Sequence, residues 1–303
     1  MRGLKKRLLL VGMSIFFILG SFVGCGSSEK EDTSNVAKGY QWKVEKDGKE
    51  LYLIGTMHPI NTSYDYFSDK ILEIMKETDV LSVEVNMSQE DMLLANARLV
   101  YSDGKTIENE LSKEQIKTLK DLCSDAGIDY EKLKVFKAQG VIQNISAVIY
   151  EKANLEMATF DDMLKDRYIK ENKKVDQVEN MEFQLNLMDK IQGIDQLKEM
   201  LDEYEKGKFE DLTKEETEYA KNIMESYKNG DEKFMNEAIE MQKENEDIYK
   251  DLILDRNIGM VKKIEEYIKS DEKYALAVGA LHFFGDDGII KILEDKGYKI
   301  TKL

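Results

Sequence analysis

The chain has 303 residues, 42% hydrophobic and 34% charged, which excludes a disordered or collagen-like protein and leaves enough apolar sequence for a sizeable core. Its 60 acidic against 44 basic residues give a formal charge of −16, which argues against a nucleic-acid partner held by phosphate attraction. Two cysteines exclude a disulfide framework, and with two histidines any imidazole chemistry must use one or both of them.

At the amino terminus, Arg2, Lys5, Lys6 and Arg7 precede an uncharged apolar run over residues 8–20. Phe22-Val23-Gly24-Cys25 then leads into a polar stretch. A basic start, a short apolar run and small residues describe a secretory signal rather than a spanning helix. The pattern resembles a bacterial lipoprotein signal, with Phe22 where Leu is more usual. That resemblance implies cleavage after residue 24, a lipid on Cys25, and attachment to the extracytoplasmic face of the cell membrane. Losing residues 1–24 removes four basic residues and no acid, so the charge moves from −16 to −20. The expected organisation is a signal peptide over 1–24, a tether over 25–38 and one domain over 39–303. Cys123 falls on the apolar side of a helical pattern and reads as core.

Two β-patterned runs, residues 40–45 and 50–54, flank Asp47-Gly48, a strong hairpin signal. Residues 67–78 have helical spacing at Ile71, Leu72 and Met75, and residues 80–85 read as a buried strand. A long helical stretch follows, about 88–270, without a proline and interrupted by one β-like island over 174–179. Residues 274–278, 288–294 and 298–303 then read as strand, helix and strand. The predicted fold is α/β (α+β-like), a central mixed sheet built from N- and C-terminal segments with a large helical insertion.

Both histidines end the same local pattern: Leu53-Ile54-Gly55-Thr56-Met57-His58 and Ala277-Val278-Gly279-Ala280-Leu281-His282. A strand that ends in glycine can turn tightly and project a side chain into the crevice at the sheet's carboxyl edge. Two such strands can bring His58 and His282 to one site, although a lone strand-end histidine is more often just a satisfied polar residue. Glu84 sits in the apolar run 80–85, where an unpaired carboxylate would be costly to bury, and is the best carboxylate to join them. A His/His/Glu set suits a divalent metal in a hydrolytic role. Glu84 alternatively takes a proton from water; Glu179 is a second choice for that base, or an exposed strand-end acid. Arg256 can hold a substrate carboxylate or an oxyanion, with Asn257 orienting it, or simply pair with a neighbouring acid.

The two G-x-x-H motifs, Glu84, and Leu254-Asp255-Arg256-Asn257 resemble the TraB/GumN family, which includes the Tiki proteins. Supporting segments are Val178-Glu179 with Gln184-Leu185, the Gly230-Asp231 turn, and the closing run Gly279 through Gly288. Thr159-Phe160-Asp161 lacks the glycine of the family's Gly-x-Asp. The resemblance covers most of residues 40–303 and implies an erythromycin-esterase/ChaN-like structural class. It also implies a metal-dependent hydrolase, a peptidase acting on a secreted peptide or protein, with Mn or Co as its metal; Zn suits the same His58, Glu84 and His282 donors. Glu84, Glu179, Arg256 and Asn257 would be its catalytic residues. Two other readings stand beside it: a non-catalytic module that binds or masks a peptide at the membrane surface, and a surface scaffold.

Overall fold

The computed structural model describes residues 35–303 apart from Lys208. The expected signal peptide and Cys25 lie outside the described residues. The body takes in residues assigned above to the tether: the Asn35 carbonyl accepts from the Asp65 amide, and the Ala37 and Lys38 amides donate to the Asp65 and Lys228 carbonyls.

Six strands form one mixed sheet: β1 (Tyr40–Lys46), β2 (Lys49–Thr56), β3 (Val80–Val83), β4 (Lys174–Gln177), β5 (Tyr274–Gly279) and β6 (Lys299–Lys302). Their order is β4-β3-β5-β2-β1-β6. The β1–β2 hairpin turns on Asp47 and Gly48, both at positive φ (51° and 79°), the backbone of a tight two-residue turn. β6 closes the far edge antiparallel to β1, whereas β2, β5, β3 and β4 run parallel to one another. The central strands are buried along continuous apolar runs, as parallel strands covered on both faces must be. The sheet is therefore built from more than the chain's two ends, because the β-like island inside the helical stretch supplies β4 as an edge strand. One boundary also moves. β3 stops at Val83, so Glu84 is the first residue beyond the strand rather than part of it.

The helices used below are α1 (Asp69–Glu77), α2 (Gln89–Arg98), α3 (Lys113–Ala126), α4 (Ala138–Lys152), α5 (Phe160–Lys170), α6 (Met181–Ile191), α7 (Ile194–Glu205), α8 (Phe209–Asn229), α9 (Asp255–Tyr267) and α10 (Ile289–Asp295). α1 starts where the Ser68 side chain accepts from the Ile71 amide, and it buries Ile71, Ile74 and Met75 against the sheet core. α3, α4 and α7 pack around a second cluster that includes Leu119, Leu122, Ile142, Ile145 and Leu197. Cys123 is buried in that cluster, and desolvation pushes its thiol up to about 11, so it is inert core. Among the described residues no helix is long and apolar enough to cross a membrane.

Candidate active site

The four parallel strands present their carboxyl ends along one edge. Register places Thr56 beside Gly279, and Val83 beside both Ala277 and Gln177. Just past those ends the chain delivers His58 after β2, Glu84 after β3, Glu179 after β4 and His282 after β5. Two amides extend the β3–β4 pairing beyond the strands: Val178 donates to the Val83 carbonyl and Glu179 to that of Glu84, each at 2.9 Å. The two carboxylates are thereby carried side by side.

The two glycines of the repeated motif do different work. Gly55 lies inside β2 and Gly279 ends β5, one register step apart. Neither is at positive φ, so the tight-turn reason given above does not hold. Space is the reason instead. A Cβ on Gly55 would stand 3.2 Å from both the Ala280 backbone and the Tyr40 Cβ. A Cβ on Gly279 would stand 3.3 Å from Glu84 Oε1, 3.7 Å from His282 Cδ2 and 4.0 Å from His58 Nε2. The bare face of Gly279 is thus the floor of a small hollow that these three side chains surround.

Arg256 arrives from the other direction, at the start of α9 and just after a π-helical turn over Lys250–Leu254. Such widened turns recur at functional sites. Its Nε donates to Glu179 Oε1 at 2.8 Å, and its Nη2 to Glu179 Oε2 at 2.9 Å and Glu84 Oε2 at 2.5 Å. Its Nη1 reaches the Leu252 carbonyl at 3.3 Å. Gln184, on α6, donates from Nε2 to Glu84 Oε2 at 3.2 Å and to Glu179 Oε2 at 3.0 Å. Arg256 therefore pairs with neighbouring acids, the plainer of its two sequence readings.

Burial alone would raise the Glu84 carboxyl, but Arg256 first, then His282, His58 and the Gly279 amide, outweigh it and hold the group at about 2. Glu84 is ionised, with Oε1 accepting from the Gly279 amide at 2.8 Å. His282 moves the other way: desolvation and the Arg256 charge lower it to about 3, so its ring is neutral. Asn257 Nδ2 donates to the Asp287 carbonyl at 2.7 Å, which turns Asn257 Oδ1 toward His282 Nδ1, also at 2.7 Å. Nδ1 must then carry the proton. Nε2 keeps its lone pair and faces Glu84 Oε1 at 3.9 Å.

Two residues without a role in the sequence reading belong to this network. Gln184 was visible only as part of the resembling Gln-Leu segment. Asp161, at the start of α5, accepts from the Thr56 hydroxyl at 3.0 Å; burial, then the Glu84 charge, pushes it well above the usual carboxylate range.

Imidazole and carboxylate match Mn, Co or Zn in donor chemistry. Their present spacing does not. Among the described residues no three His, Cys, Asp or Glu side chains are gathered so as to hold a metal ion. Glu84 is held back by Arg256, Gln184 and the Gly279 amide, so His58, Glu84 and His282 surround the hollow without closing on one point.

The hollow opens into a small cleft of about 60 Å³, with Thr56, His58, Glu84, Arg256 and His282 at its polar end. Its walls are apolar and come largely from the helical stretch, among them Leu155, Met188, Ile223 and Met224.

A mixed α/β sheet with polar side chains from four strand ends, gathered at the carboxyl edge beneath a helical cover, defines the class: an open α/β protein with a crevice site. The chain belongs to the TraB/PrgY/gumN family, whose match runs over residues 41–302. No curated protein matches it.

Proposed function

We propose that the chain is a hydrolase at the extracytoplasmic face of the cell membrane, anchored through a lipid on Cys25 and acting on a secreted peptide or protein. One observation carries the reading: the hollow over Gly279, which Glu84 Oε1, His282 and His58 Nε2 surround at the polar end of an apolar cleft. Ionised Glu84 Oε1 at the side of this hollow suits an O–H group of a water molecule and orients it with a lone pair toward the cleft.

Attack on a peptide carbonyl forms the new C–O bond. The water's proton passes to His282 Nε2, and from there to the nitrogen of the breaking C–N bond. Asn257 keeps the receiving nitrogen bare, and ionised Glu84 stabilises the imidazolium as it forms. Arg256 and Gln184 act as positioning residues for Glu84.

In a second reading His58, Glu84 and His282 would hold Mn²⁺, Co²⁺ or Zn²⁺, which would supply an acidified water, and Glu84 would have to part from Arg256 for this. Peptide hydrolysis by the purified full chain, with and without each metal, tests both. Cleavage by wild type and none by Glu84→Gln is the expected result. Bound metal that a His58→Ala/His282→Ala double variant loses would establish the second reading. Peptide that binds and returns intact, with Glu84→Gln binding equally well, would replace both with a masking protein.

A further inference from the structure

The cleft is closed as well as small. At about 60 Å³ it has room for a few water molecules and for no amino-acid residue. Its roof is core: Leu155, Met188, Ala220, Ile223, Met224 and Leu252 line it and all are buried. Any occupant larger than water needs part of this roof to move, whether it is then hydrolysed or only bound.

The roof elements are not fastened alike. Met188 comes from α6, which Gln184 ties to Glu84 and Glu179, and Asp189 ties to Arg98 of α2. Leu252 lies in the π-helical turn, and its carbonyl accepts from Arg256. Ala220, Ile223 and Met224 come from the middle of α8, which is anchored at its carboxyl-terminal end. There the Lys38 and Gly39 amides donate to the Lys228 and Tyr227 carbonyls at 2.9 and 3.0 Å. Tyr40 Oη donates to the Ser226 and Asp231 carbonyls, and Tyr227 Oη to that of Gly55 at 2.9 Å.

About 12 Å back along the helix axis the packing is polar and unsatisfied. Tyr219 is 8% exposed, its ring 5.9 Å from that of Phe234 on the following helix, Glu232–Gln242, and its hydroxyl has no hydrogen-bond partner. Gln242 shares the buried stripe of that helix with Met235 and Ala238, and neither of its amide atoms has a partner. A buried hydroxyl or amide without a partner is less stable than the same group in water. Movement that wets Tyr219 and Gln242 therefore offsets part of the cost of exposing the apolar face of α8.

We propose that α8 is a hinged cover: it pivots about its bonded carboxyl-terminal end, near residues 227–231, lifts Ala220, Ile223 and Met224 off the hollow, and so admits the occupant to His58, Glu84 and His282. The packing described above is its closed position.

The test follows amide hydrogen exchange and the labelling of His282 by diethyl pyrocarbonate, both read by mass spectrometry on the full chain. Amides of residues 214–224 should exchange about 10²-fold or more faster than those of β2 and β5 while the protein stays folded. Tyr219→Phe keeps the ring and removes the unpartnered hydroxyl, so it should slow both that exchange and the labelling of His282 about tenfold. Peptide turnover should slow with them, which a purely structural gain in stability would not cause. Gln242→Met makes the same test should Tyr219→Phe fail to fold. Exchange over 214–224 as slow as in β2 and β5, or labelling of His282 at the wild-type rate in the variant, overturns the proposal. Slower labelling with no cleavage of any peptide supports the cover and sinks the hydrolase reading. Cleavage with labelling unchanged does the reverse.

Discussion

Arg256 and Glu84, 172 residues apart in sequence, meet at 2.5 Å between Nη2 and Oε2, with both side chains nearly excluded from solvent. Glu179 completes the trio, so one buried cation holds two buried carboxylates together. Removing it leaves both acids desolvated without compensation, and Arg256→Ala should lower stability by about 3–5 kcal/mol in urea unfolding. Arg256→Lys should recover only part of this, because a single ammonium cannot reproduce the guanidinium's forked contacts. An Arg256→Ala variant within about 0.5 kcal/mol of wild type would show that the trio is not holding the edge together.

Acid should destabilise the protein in two steps. His282 is lowered from 6.5 to about 3, so the unfolded chain binds its proton first, and stability falls as pH drops from about 6.5 toward 3. Glu84 is lowered from 4.5 to about 2; its contribution is present above 4.5 and disappears as pH falls toward 2. Asp161, held well above the usual carboxylate range, gains stability as pH falls and opposes these two, so the His282 part is read as the difference in urea midpoint between wild type and His282→Gln, which should shrink as pH falls below about 6.5. A difference unchanged between pH about 7 and 4.5 would contradict a buried neutral His282.

The two motif glycines should respond differently to alanine. In Gly279→Ala the new methyl stands 3.3 Å from Glu84 Oε1 and fills the hollow, at a backbone φ of −47° that alanine tolerates. Activity should be lost at a stability cost of under about 1 kcal/mol. Gly55→Ala instead presses on the Ala280 backbone and Tyr40 at 3.2 Å, and should cost about 1–3 kcal/mol through overpacking. Thermal unfolding and peptide turnover of the pair decide the matter. Equal effects on both readouts would mean that the hollow has no special role.

Asn257 is argued to act through His282. Asn257→Ala releases the tautomer and should reduce turnover about 10²-fold. Asn257→Asp retains an acceptor for Nδ1 and should restore part of the rate, with its pH profile shifted upward because a carboxylate raises the imidazole's basicity. Turnover unchanged in Asn257→Ala would remove Asn257 from the mechanism.

Much of this molecule could be read along the chain. Asp47-Gly48 announced the hairpin, the apolar runs announced the central strands, and the repeated glycine motifs picked out His58 and His282 as a pair. Less was legible about their surroundings. Glu84 was placed in the strand, whereas the strand ends one residue before it. Arg256 carried two readings, and nothing nearby in sequence distinguished a substrate anchor from a clamp on two acids. Gln184 has an ordinary helical context, and its role depends on being within hydrogen-bond reach of two carboxylates from different strand ends.

By itself, then, the sequence determined what depends on neighbours within a few residues: turn chemistry, hydrophobic periodicity, and a scarce residue type standing at the end of an apolar strand. The tertiary structure decided what depends on register. Parallel pairing of β2, β5, β3 and β4, drawn from positions 52 to 279, places four strand ends on one edge and sets Glu179 beside Glu84. Those pairings are made by backbone hydrogen bonds, which are chemically alike at every residue. Local sequence therefore has no means of stating which strand ends will meet, or which charge will neutralise which.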